Sequence, residues 1–155
     1  MKNRYFLLCK SALLLAVAAY SLTGCDKVTE TATPNKTQVL TGSTWHITAF
    51  TRATGSNAPV NYLNTAFPAA CERDDRYDFK TNGTQIRTEG PSACAGNTSS
   101  TVVGTYSWNL NSAQTQLTIG GTTFEITQLS ASAMQLRSTR TTGGTTVTDN
   151  VTYAD

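Results

Sequence analysis

Cys71-Glu-Arg-Asp-Asp-Arg-Tyr-Asp-Phe-Lys-Thr-Asn-Gly-Thr84, continuing to Ser92-Ala-Cys94, is the stretch whose reading decides the fold. Side chains alternate through Tyr77 and Phe79, the chain reaches Asn82-Gly83, and alternation resumes through Ile86 and Thr88. Asn-Gly accepts the positive φ angles of a type I′ turn, whose twist matches the strands it joins, so the pattern predicts a β-hairpin. A cysteine flanks each arm. Closing the hairpin brings Cys71 and Cys94 toward one end of the sheet, and we read them as a disulfide.

A disulfide needs an oxidising compartment, and the N-terminus supplies one. Met1-Lys-Asn-Arg4 is basic, Leu13-Leu-Leu-Ala-Val-Ala-Ala19 is apolar, and Leu22-Thr-Gly-Cys25 comes directly after. The uncharged window from Ser11 to Gly24 is shorter than the roughly 20 residues that span a bilayer, so residues 1–24 read as a processed leader. Leu22-Thr-Gly-Cys25 resembles the lipobox of bacterial lipoproteins. The resemblance implies cleavage before Cys25 and acylation of Cys25, which holds a soluble domain on a membrane at about 0.8 kcal/mol per buried CH₂. It places the protein in the bacterial cell envelope, as an outer membrane lipoprotein facing the periplasm or the surface.

Removing the leader changes the charge balance. The full chain carries 12 basic and 10 acidic side chains, and Lys2, Arg4 and Lys10 leave with the leader. The remainder is near neutral, without a basic patch interleaved with aromatics, so no nucleic acid partner is expected. Cys9 leaves too, so that Cys25 goes to lipid and the other two cysteines can pair. Residues 25–38 have little apolar content and read as a flexible tether. The rest of the chain, 39–155, is one domain.

That domain alternates repeatedly. Trp45, Ile47 and Ala49 share one face of a first strand, with His46, Thr48 and Phe50 on the other. Gly120-Gly121 and Gly143-Gly144 mark further tight turns. The expected strands are 44–52, 75–81, 84–90, 101–110, 114–119, 122–128, 132–140 and 145–154. Eight short strands in sequential hairpins favour an all-β, eight-stranded antiparallel up-and-down barrel, because closure removes exposed edges. The first strand should then meet the last. Val60 to Phe67 fits neither period and reads as a connection across one mouth or side.

Leu40-Thr-Gly-Ser-Thr-Trp45, the Cys71 to Gly83 stretch, Cys94, Gly104-Thr-Tyr-Ser-Trp108, Leu117-Thr-Ile119, Phe124-Glu-Ile-Thr-Gln-Leu-Ser130 and Met134-Gln-Leu136 together resemble the lipocalin-like domains of Bacteroidetes lipoproteins. That resemblance implies a lipocalin-type or related calycin barrel. It departs from the lipocalin Gly-x-Trp start, since two residues separate Gly42 from Trp45.

An eight-stranded barrel is wide enough either to be filled by side chains or to hold one small ligand. Ile86, Trp45, Tyr106 and Trp108 are among the residues expected to face inward, and the last three are candidate ligand contacts. Tyr62, Leu63 and Phe67 are candidates for a lid or contact surface. Alternation of connections puts loops 53–74 and 90–100 at one end with Gly120-Gly121 and Gly143-Gly144, so the mouth is expected there. The partner is then a small apolar or amphipathic ligand. The alternative is a filled barrel that recognises a glycan or an envelope protein.

Catalytic patterns are sparse. His46 is the single histidine, no Gly-x-Ser-x-Gly or His-Glu-x-x-His occurs, and an acid pair such as Asp78 and Glu89, placed to meet across the hairpin, has no sign of a cleft around it. The run Glu72-Arg-Asp-Asp-Arg76 matches no calcium loop and reads as a solvated rim with local ion pairs, one acid capping the loop after Cys71. We therefore expect no enzyme, no cofactor and no metal. The anchor has a direct test: a mass spectrum of the mature protein should begin at Cys25 carrying diacylglycerol, and an unmodified N-terminal residue would reject it.

Overall fold

The computed structural model describes residues 35–155. The leader, Cys25 and the tether up to residue 34 lie outside the described residues. Among those described, a short helix, α1 (Lys36–Gly42), precedes nine strands: β1 (Thr44–Thr54), β2 (Val60–Asn61), β3 (Arg76–Lys80), β4 (Thr84–Thr88), β5 (Val102–Leu110), β6 (Gln116–Ile119), β7 (Thr122–Leu129), β8 (Ala133–Thr142) and β9 (Thr145–Ala154). A helical turn, α2 (Leu63–Ala66), and a 3-10 turn at Ala70–Glu72 interrupt the connection from β2 to β3. All pairings are antiparallel. Strands β3 to β9 pair in sequence, β1 pairs with β2 and β3, and β1 also pairs with β9. Eight strands therefore close an up-and-down barrel, with β2 a two-residue addition to β1. The β3–β4 connection is a hairpin as expected but not a type I′ turn: Lys80 pairs with Thr84 across three residues, and of these only Gly83 has positive φ, at +81°, so the glycine supplies the one left-handed position.

Three departures from the expected pattern matter for the interior. A register shift in β1 between Ile47 and Ala49 reverses the facing of the rest of that strand. Such a bulge inserts one extra residue into the strand. Phe50 consequently pairs with Val151 and packs against the core, while Ala49 is exposed. In β4, Gln85 pairs with the core residue Phe79 and Arg87 with Tyr77, so Gln85 and Arg87 point inward and Ile86 does not. Residues 35–38, expected to belong to the tether, are part of the fold. Asn35 caps α1 by accepting from Thr37 N at 2.9 Å, satisfying a donor that the helix leaves free.

α1 closes the end of the barrel that carries the short turns. Leu40 is fully buried, and its carbonyl accepts from Trp45 Nε1 at 3.0 Å. Lys36 ties the helix to the β5–β6 turn, its Nζ donating to Gln114 O at 2.7 Å. Trp45, Leu117, Met134 and Leu136 fill the space above, all buried. Phe79 meets Trp108 edge-on with ring centroids 5.5 Å apart.

The β1 edge is shared. β3 pairs with it only at Thr44–His46, and β2 pairs at Thr51 and Arg52. The connection 62–75 crosses the interval. Its far end is stapled by the Cys71–Cys94 disulfide, with Cα atoms 5.2 Å apart. The bridge closes a loop of 23 residues in sequence separation, which restricts the unfolded chain by about 3.4 kcal/mol in the loop-entropy account. Replacing both cysteines with serine should lower the denaturation midpoint by a corresponding amount and leave the far-ultraviolet β signal intact. An unchanged midpoint would remove the staple from the stability of this edge.

Candidate functional site

The barrel is filled at the α1 end and open at the other. The opening is a cup with two adjoining lobes of about 290 and about 300 Å³, which share Ile47, Phe67, Thr122, Phe124 and Tyr153 as walls. Each lobe is near the lower limit of the ~300–1,000 Å³ of small-molecule sites. The mouth lies at the end carrying the long connections, which place Phe67 in both lobes. Arg73 fixes that segment, its Nη1 donating to Asn64 Oδ1 at 2.8 Å and to Phe67 O at 3.4 Å.

Each lobe has its own charged wall. In the first, Arg87 Nε donates to Asp75 Oδ2 at 2.6 Å, and Asp75 is only 2% exposed. Burial pushes the Asp75 carboxyl above its ordinary range, with the Arg87 hydrogen bond opposing. Asp75 Oδ1 has no hydrogen-bond partner among the described residues. The Arg87 guanidinium lies 5.3 Å from the Phe67 ring centroid and 5.8 Å from that of Tyr77. Burial moves the Tyr77 hydroxyl up to about 12. Tyr106 folds its ring back onto Gly104, where a Cβ would meet the Tyr106 hydroxyl at 2.9 Å, so the absent side chain makes room for the ring in the cup wall.

In the second lobe, Asp149 accepts from Arg52 Nε at 2.6 Å, Arg52 Nη2 at 2.9 Å and Arg140 Nη1 at 2.7 Å. Burial raises the Asp149 carboxyl, but the hydrogen bonds from the two arginines outweigh it, and the net position is below the ordinary carboxylate range. Arg52 also lies over the Tyr62 ring at 3.8 Å, a cation–π contact that holds the rim down on β1.

The six expected contact residues separate. Phe67 lines both lobes and Tyr106 lines the first. Trp45 and Trp108 are core residues of the filled part and line neither lobe. Leu63 packs on the core, and Tyr62 meets Phe50 edge-on at 5.4 Å, so both belong to the rim. The acidic run is not a solvated rim. Asp75 faces the interior, Glu72 Oε2 accepts from Ala69 N at 3.1 Å, and Asp74 Oδ2 accepts from Ser92 N at 2.8 Å. The loop that Asp74 braces is thus the one after β4, not the one after Cys71. Glu89, buried, accepts from Cys94 N and Asn97 Nδ2, whereas Asp78 accepts from Thr44 Oγ1. The two acids serve different neighbours and do not form a catalytic pair.

Sequence reasoning missed Gln85 and Arg87. Asp149 alternates along β9 with Val147, Val151 and Tyr153, so strand periodicity puts it on the face of those residues. His46 sits outside, on a groove of about 470 Å³ with Thr44, Asp74, Arg76, Pro91 and Asp155. Among the described residues no three His, Cys, Asp or Glu side chains gather as a metal site.

A closed eight-stranded barrel, plugged at one end and cupped at the other, has the geometry to hold one small molecule. The chain belongs to the lipocalin-like domain family, whose model matches residues 40–136, well over half its length. The match runs from α1 into β8 and stops short of β9, the strand that completes closure. No curated protein matches the sequence.

Two of the three buried acids among the described residues, Asp149 and Asp75, differ in sign toward pH. Asp149, depressed in the folded state, contributes stability that is full above the unfolded carboxyl value of about 3.9 and is lost as pH falls through its folded value. Asp75, raised, does the reverse: protonation favours the fold as pH falls. Asp149→Asn should therefore cost about 2 kcal/mol at neutral pH, within the range for hydrogen bonds to charged groups, and much less near pH ~3. Asp75→Asn should cost less than Asp149→Asn at neutral pH. Urea denaturation at both pH values checks the pair, and the opposite order would contradict these assignments.

Proposed function

We propose that this is a lipid-anchored protein of the bacterial cell envelope, an outer membrane lipoprotein, whose barrel holds a small apolar or amphipathic molecule in its cup and catalyses nothing. The observation that carries the ligand reading is the cup itself: apolar walls from Ile47, Phe67 and Phe124 beneath an open mouth, above a core that is otherwise filled. Family membership supports it, since a lipocalin-like barrel is suited to small hydrophobic ligands. The anchor rests on Leu22-Thr-Gly-Cys25 coming after a basic region and an apolar run. Against catalysis stands the placement of the single histidine on the outer wall and the separation of Asp78 from Glu89.

A second reading, recognition of a glycan or an envelope protein by the outer surface, is supported by the polar groove at Thr44, His46 and Asp155. A neutral fluorescent probe separates the two. Phenylnaphthylamine should bind at one saturable site. Thr122→Trp, which adds bulk at an exposed position lining both lobes, should weaken it roughly tenfold, or about 1.4 kcal/mol. No saturable binding would defeat the cup as a ligand site and leave the surface reading.

A further inference from the structure

Two polar side chains lining the first lobe keep polar atoms that the fold does not use. Gln85 is 2% exposed and lines the cup, yet its carboxamide makes no hydrogen bond among the described residues. Among the described residues the buried unpaired side-chain atoms are Asp74 Oδ1 and Asp75 Oδ1, not those of Gln85, so the carboxamide presents its free donors and acceptor to the space of the cup. Arg87, two residues along the same inward face, spends only Nε on Asp75. Its Nη1 and Nη2 make no hydrogen bond among the described residues, although the side chain is only 18% exposed. Five-donor guanidinium groups are suited to planar anions, which they grip through paired N–H bonds.

The charge that the wall of the first lobe presents to its space is positive. Among the described residues, Arg87 is the one formally charged side chain lining the first lobe. Asp75, just before β3, is turned to Nε and covered, and Glu89, just after β4, is turned to Cys94 N and Asn97. Neither carboxylate lines the lobe. In the second lobe Asp149 is held between Arg52 and Arg140, leaving that cluster with one positive charge in excess, and Arg140 is half exposed. Tyr77, Tyr106 and Tyr153 are the other titratable side chains lining the first lobe, and burial raises the hydroxyls of Tyr77 and Tyr153.

Building on the small-ligand reading, we propose that the occupant is an amphipathic carboxylate: its head group meets Arg87 Nη1 and Nη2 and the Gln85 carboxamide, and its apolar body lies against Phe67, Ile119 and Phe124. The head group pairs with donors that face the cup and that the fold leaves unused. The phenyl rings next to it exclude water, which strengthens the pairing.

Decanoate and decanol, matched in chain length and different in charge, test this by displacement of phenylnaphthylamine from the full mature protein below micellar concentrations. Decanoate should displace at roughly tenfold lower concentration, the ratio expected of one charge-assisted hydrogen bond. In Asp75→Asn/Arg87→Gln, which keeps the buried pair neutral and hydrogen-bonded, the two should displace alike. Gln85→Leu, a change confined to the cup, should reduce the preference several-fold. Equal displacement by both compounds in the unaltered protein, displacement by neither while the neutral probe saturates, or a preference that survives in both variants would overturn the inference. Failure of the neutral probe to bind at all would instead overturn the small-ligand reading beneath it.

Discussion

β1 is the strand on which closure depends, because it must satisfy two edges with unequal partners. On one side β9 runs along it from His46 to Thr54. On the other, β3 covers only Thr44 to His46. Unpaired backbone donors and acceptors on a strand edge are costly when buried and hazardous when exposed. The molecule covers the interval with β2 at Thr51 and Arg52, with Tyr62 N donating to Phe50 O at 2.7 Å, and with the disulfide-stapled connection beyond. The same segment carries Phe67 into the cup. Closing the wall and shaping the site are thus one structural act.

The interior reflects this division. At the α1 end, where β1 has full partners, large side chains interlock and leave no room. At the mouth, the walls are long strands of unequal height and the residues facing inward include Gln85, Arg87, Arg140 and Asp149. A buried ion pair is weak evidence for stability, since well-packed apolar residues of similar volume often do as well or better. Asp75–Arg87 and the Asp149 cluster therefore need a reason other than stability for standing where a core would ordinarily continue, and the polar-headed ligand proposed for the cup would provide one.

Much of the barrel was legible because its signals are local. Asn82-Gly83 and the paired glycines at 120–121 and 143–144 fix tight turns, and alternation between them fixes the strands and their order. Departures arose where alternation misled. Thr84 to Thr88 offers Ile86 as its one large apolar residue, so the apolar rule turned the strand inside out; the partners Tyr77 and Phe79, known only through register, place Arg87 and Gln85 inside. The bulge between Ile47 and Ala49 carries no glycine or proline to announce it. α1 has two apolar residues, Val39 and Leu40, too few for a periodic signal. Trp45 and Trp108 face inward as expected, but inwardness alone does not tell the filled end of a barrel from its open end.

Nitrogen-15 and methyl chemical-shift mapping during a decanoate titration tests the central claim most directly, that the cup at the long-connection end is where a ligand sits. The account predicts saturable shifts concentrated at the Gln85 carboxamide, Arg87 Nε and the Ile47 and Ile119 methyl groups. Leu40, Leu117 and the outer-wall residues Thr44 and His46 should be unmoved. Shifts centred on α1 or on the outer groove, with the cup silent, would contradict it.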